Sequence, residues 1–82
     1  DGHSMTGAGI NDGDLVVVSR ATKPRAGSIV VALVHGDRTL KRLRKLDGRL
    51  WLVPEAEGYP HTIVDENVEV WGVVVGLARR YQ

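Results

Sequence analysis

Thirteen of the 82 residues are valine, and most of these fall in short runs closed off by Gly, Pro, Asn or Asp. Side chains branched at Cβ suit pleated strands better than helices. Leu15 to Ser19, Ser28 to Val34, Arg49 to Val53 and Val68 to Leu77 are each five to ten residues long and bounded by turn formers, so the chain reads as all-β. Asn11-Asp12-Gly13, His35-Gly36-Asp37 and Asp47-Gly48 predict tight turns, the last two joining antiparallel neighbours. Lys23 to Gly27 and Glu55 to Pro60 predict loops, with Pro24 and Pro54 where strands end.

Length allows one domain, residues 1–82, because a chain this short buries only about 60–65% of its unfolded surface. The net charge of +1 is too small for bulk attraction to nucleic acid or a membrane surface. With no cysteine there is no disulfide framework, thiolate zinc site or cysteine nucleophile, and three scattered histidines make a poor metal cage. Apolar stretches end after about six residues, where a membrane span needs about 20, so a soluble cytoplasmic protein is expected.

Two segments need closer reading. In Arg38 to Leu46, leucines at 40, 43 and 46 would make one stripe of a short helix, but the flanking turn signals favour a hairpin strand. As a strand it points Thr39, Lys41 and Leu43 to one face and Leu40, Arg42 and Arg44 to the other. Gly2 to Ile10 is glycine-rich and predicts a turn or a single helical turn. Ser4 could sit there with nearby backbone N–H groups unpaired, as an oxyanion site requires. Taken alone, a glycine-flanked serine is an ordinary loop residue, and a lysine among Arg38, Arg42, Arg44 and Lys45 is a solvated charge.

Order along the chain is more specific than any one motif. Gly2-His3-Ser4-Met5, Ala8 to Val18, Gly27 to Ala32, Thr39-Leu40-Lys41-Arg42-Leu43, Leu52-Val53-Pro54-Glu55, Tyr59-Pro60 and Trp71 to Val75 together resemble the self-cleaving serine peptidase domain of LexA repressors and UmuD proteins. The resemblance implies highly bent antiparallel sheets carrying a Ser–Lys dyad, with Ser4 the nucleophile and Lys41, 37 residues later, the general base. The backbone N–H groups of His3 and Ser4 are the candidate oxyanion donors, Met5 packs beside the site, and no cofactor or metal is called for. His3, His35 and His61 are read as neighbours and loop residues, not proton carriers or ligands.

The dyad sets a physical demand. Lysine ordinarily titrates at about 10.4, so an amine that is neutral near pH 7 needs a depression of about three units, about 4 kcal/mol. Burial supplies it, and unpaired cations such as Arg42 or Arg44 would push the same way more weakly.

By resemblance the protein is a cytoplasmic homodimer that cleaves itself when it meets a RecA filament on single-stranded DNA, in the SOS response to DNA damage. Asp47 to Leu52, Tyr59-Pro60 and Val70-Trp71-Gly72 lean toward UmuD, a subunit of an error-prone translesion polymerase. The alternative is the dimerisation and autocleavage domain of a LexA-like or prophage repressor, which reaches operator DNA through an amino-terminal domain. A further alternative is a non-catalytic docking module built on a strand edge and on Val68 to Leu77. Ser–Lys signal peptidases fit less well, since Thr6 stands where they place proline.

The chain departs from the pattern at Gly27-Ser28, where Gly-Asp is usual, and at His61-Thr62-Ile63. The family's scissile Ala-Gly or Cys-Gly bond lies upstream of the serine, so residues 1–82 are expected to be a peptidase-domain fragment without its cleavage segment. Ala8-Gly9 and Ala26-Gly27 read as turns. Arg79-Arg80 and the cluster from Arg38 to Lys45 could touch phosphate, though a solvated face is preferred. Trp51 and Trp71 read as core or interface anchors.

Overall fold

The computed structural model describes residues 3–79. Two left-handed residue pairs, His35-Gly36 (φ 50° and 85°) and Asp47-Gly48 (φ 51° and 77°), fold the middle of the chain into a meander. Such pairs match the right-handed twist of the strands they join. The first links β2 (Ile29–Val34) to β3 (Asp37–Leu46), and the second links β3 to β4 (Arg49–Val53). Arg38 to Leu46 is thus a strand, as its flanking turns predicted. Lys41 stands opposite Val30, and Leu43 stands opposite Leu52.

The remaining elements are β1 (Leu15–Ser19), β5 (Thr62–Ile63), β6 (Val68–Ala78) and one 3-10 turn at Thr6–Ala8. All six strands join one antiparallel sheet in the order β1-β6-β2-β3-β4-β5. The two-residue β5, paired with Trp51 and Leu52, was not foreseen, because two residues show no alternation.

Both irregularities of the sheet fall in β6. Its register slips where Val31 and Ala32 face Gly72 and Val70, and again where Val17 and Val18 face Gly76 and Val74. The extra residues are Trp71 and Val75. A bulge leaves one residue unpaired and bends the strand, so both turn outward and stay exposed. Of the two readings of Trp71, core or interface anchor, its exposure excludes the core; the Arg20 guanidinium lies over its ring, 4.0 Å from the centroid. Gly72, next to it, sits where a β-carbon would come 2.5 Å from Val18 Cγ1. Only a residue without a side chain lets β1 lie this close.

The core is Val30, Ala32, Leu43, Leu52 and Val73, drawn from β2, β3, β4 and β6, with Val34, Val64, Val68 and Val70 packed against it. Valine thus builds the interior as well as the strands. Gly2 and Arg80, both named in the sequence reading, lie outside the described residues.

Candidate active site

Lys41 shares a face of β3 with Leu43, which is in the core, so its stem is carried inward and its amine ends beneath the amino-terminal turn. There the Nζ lies 2.9 Å from Ser4 Oγ, 2.7 Å from Thr39 Oγ1 and 3.2 Å from the Leu40 carbonyl oxygen. Ser4 is only 1% exposed. The two residues singled out by sequence thus meet within hydrogen-bond distance.

Local hydrogen bonds explain how Ser4 is held. The turn closes on itself through Ala8 N–H to the Met5 carbonyl (3.0 Å) and Gly9 N–H to the Thr6 carbonyl (2.9 Å), with Gly9 in the left-handed region at φ 82°. It is tied to the sheet by Glu55, whose N–H donates to the Ser4 carbonyl at 2.8 Å and whose carbonyl accepts from Gly7 N–H at 2.7 Å. Among the described residues no backbone carbonyl takes up the Ser4 N–H. Met5 is buried beside it, as expected.

Burial pushes the Lys41 amine below its ordinary value, and desolvation is the cause. Arg42 plays no such part. It was expected to be an unpaired cation pressing on Lys41, but it is ion-paired with Glu55 and donates from Nη1 to the Gly27 carbonyl at 2.7 Å. Arg44 is exposed.

The three acceptors around Nζ suit both protonation states. An ammonium can donate to all three. The neutral amine keeps two N–H bonds, for Thr39 and Leu40, and turns its lone pair to the Ser4 hydroxyl. A serine next to a desolvated amine is the arrangement that activates an alcohol as a nucleophile.

Hollows open on both sides of the pair. One, of about 190 Å³, is lined by Ser4, Met5, Ile10, Asp14, Val16 and Leu40 among others; the second is lined by Thr39, Lys41, Tyr59 and Pro60 among others. The loop walling the first is pinned by Arg79, which donates to both Asp14 carboxylate oxygens (2.8 and 2.7 Å) and to the Gly9 carbonyl (2.6 Å). Arg79 is thus a structural tie and not the free phosphate contact considered from sequence. The tie holds the Asp14 carboxyl at about 2.

Sequence reading missed two residues at the site. Thr39 could have been found, since it lies two positions before Lys41 on the same face. Glu55 carried no local signal, because its contacts to the turn are made by its backbone. His3, His35 and His61 are exposed. Among the described residues no group of three His, Asp or Glu side chains could hold a metal ion, and no helix is long and apolar enough to cross a membrane.

Comparison with known proteins places this chain in a family. The Peptidase S24-like family matches residues 1–75. LexA repressors are similar over nearly all of the chain: that of Clostridium acetobutylicum is 44% identical over 80 residues, covering 98% of this chain and 39% of its own. That of Paramagnetospirillum magneticum is 46% identical over 83 residues, covering 99% and 35%. That of Parafrankia sp. is 42% identical over 79 residues, covering 96% and 31%. The expected lean toward UmuD gains no support from these relatives. The chain spans between about a third and two fifths of their length, and over that span it belongs to the Peptidase S24-like family.

Proposed function

We propose that residues 1–82 form the self-cleaving peptidase domain of a longer, LexA-like repressor, with Ser4 as nucleophile and Lys41 as general base. The observation that carries this is the 2.9 Å contact between Lys41 Nζ and Ser4 Oγ in a setting that disfavours the ammonium.

In the reaction the Lys41 lone pair takes the Ser4 proton as Oγ bonds to the scissile carbonyl carbon. The carbonyl π pair moves to oxygen, and the oxyanion receives the N–H groups of His3 and Ser4. Collapse breaks the C–N bond, and the leaving amine takes the proton from Lys41. Water, deprotonated by the same base, then releases the acyl group from Ser4. A substrate strand crossing the dyad would place side chains in the hollows on either side.

The wider role follows from the family. The domain pairs with a second copy, responds to a RecA filament on single-stranded DNA in the cytoplasm, and by cleaving its chain releases operator DNA held by another part of the protein. Repressor relatives favour this over the polymerase-subunit role considered from sequence.

The test is hydrolysis, by this chain, of a peptide carrying the upstream Ala-Gly segment of the full protein, followed from neutral to alkaline pH. Cleavage is expected to rise with pH and to vanish in Ser4→Ala and in Lys41→Ala. Cleavage unchanged by both substitutions, or none by the intact chain, would leave the docking module as the better reading.

A further inference from the structure

We propose that the Arg42–Glu55 ion pair is the positioning device that holds the Ser4 hydroxyl against the Lys41 amine. The inference rests on the peptidase reading above. Neither residue touches the reacting atoms, so both are positioning residues.

The geometry leads there in three steps. First, Ser4 lies in no strand. Among the described residues, the two bonds to Glu55 are the only backbone hydrogen bonds that tie residues 4–8 to anything outside residues 3–10. The position of the nucleophile is therefore the position of residue 55. Second, Glu55 lies just beyond β4, past Pro54, where no ladder fixes it; β4 leaves the sheet at Val53, which faces Arg42. What fixes the Glu55 side chain is Arg42, whose Nε donates to Oε1 while Nη1 donates to the Gly27 carbonyl at 2.7 Å. Third, Arg42 directly follows Lys41. Adjacent residues of β3 thus carry both the base and the tether of the residue that holds the nucleophile.

Packing supports the same conclusion. A β-carbon on Gly7 would lie 2.1 Å from the Glu55 carbonyl oxygen. Because that is backbone and not the tip of a flexible side chain, any substitution must drive the turn and residue 55 apart. The two side chains of the ion pair are 23% and 28% exposed, covered enough to keep a fixed geometry.

A merely stabilising pair and a positioning pair differ in what they do to Lys41. If the turn shifts, the amine loses its cover as well as its partner, and its titration moves back toward that of free lysine. The other titratable groups lining the hollow on the Lys41 side, His35, Asp37, Arg38 and Tyr59, are unchanged by substitutions at 42, 55 or 7. Glu55→Gln leaves Arg42 an unpaired cation, which by itself pushes the amine further down, so the midpoint reports the turn in the variants that keep both charges, Gly7→Ala and Arg42→Lys.

The experiment measures the rate at which a fluorophosphonate labels Ser4 as pH is raised. Oγ bonds to phosphorus, fluoride leaves, and the hydroxyl proton passes to Lys41. Glu55→Gln keeps the shape of the side chain and removes the charge that anchors residue 55; Gly7→Ala dislodges the same contact sterically; Arg42→Lys keeps the charge but loses the fork. Each is expected to lower the plateau rate, by about tenfold or more for the first two. Gly7→Ala and Arg42→Lys, which keep both charges, are also expected to move the midpoint up. The reversed pair Arg42→Glu with Glu55→Arg recovers part of both. Circular dichroism confirms the fold of each variant. A folded Arg42→Lys chain with the wild-type midpoint, whatever its rate, overturns the positioning role while leaving the peptidase reading intact. Absence of labelling in the wild-type chain, or equal labelling of Ser4→Ala, overturns the peptidase reading itself and this inference with it.

Discussion

Lys41 Nζ lies closer to Thr39 Oγ1, at 2.7 Å, than to Ser4 Oγ, at 2.9 Å. The threonine is the acceptor that keeps the long lysine side chain in one rotamer with its lone pair toward the serine. Thr39→Val preserves shape and removes that acceptor. Peptide cleavage is expected to fall about tenfold, and Thr39→Ser to keep most of it, as read from initial rates at a fixed alkaline pH.

Desolvation of Lys41 also sets the pH dependence. The reactive species is the neutral amine, so cleavage should rise as pH passes the lowered folded-state value and then level off. Stability follows in the same direction. Between the lowered folded value and the ordinary unfolded one, the unfolded chain binds more protons, so stability increases with pH through that window. Lys41→Met should flatten the dependence in urea melts taken at several alkaline pH values.

At the acid end the same reasoning applies to Asp14. Its carboxyl is lowered from 3.8 to about 2, chiefly by the hydrogen bonds from Arg79 and then by that from Asn11 N–H. The stability this gives is present above the unfolded value and is lost as pH falls toward the folded one. Arg79→Gln should remove most of it. The gap between wild-type and variant melting temperatures is expected to be widest at neutral pH and to close near pH about 2.

Leu52 tests the core separately from the site. It is 1% exposed and packs with Val30, Leu43 and Val73. Leu52→Ala should cost about 2–5 kcal/mol by urea unfolding. In a domain whose whole stability is of order 5–15 kcal/mol, that is enough to populate the unfolded state visibly at 37 °C.

How much of this was legible in the chain depends on whether the cause was local. The turns at His35-Gly36 and Asp47-Gly48 were readable because left-handed pairs have a narrow residue preference, and the strands between them followed. Ser4 and Lys41 were readable only from the order of segments resembling a known family; by local pattern each was an ordinary loop or surface residue. For Trp71, read as a core or interface anchor, the core alternative fails because a bulge shifts the faces of β6 in mid-strand, and a bulge depends on the partner strands. Glu55 and Arg42 were invisible for a related reason. Their pairing spans 13 residues, and Glu55 acts through peptide groups that every residue has.

The last strand in sequence occupies the second place in the sheet, between β1 and β2. Until it is made, β1 has no neighbour to pair with and the hollow beside Ser4 lacks its Val16 wall. β6 is thus the strand that joins β1 to the β2–β5 meander. Val16, which walls that hollow, is held in the sheet through its partner Leu77, so loss of the β6 pairing would open the hollow beside Ser4.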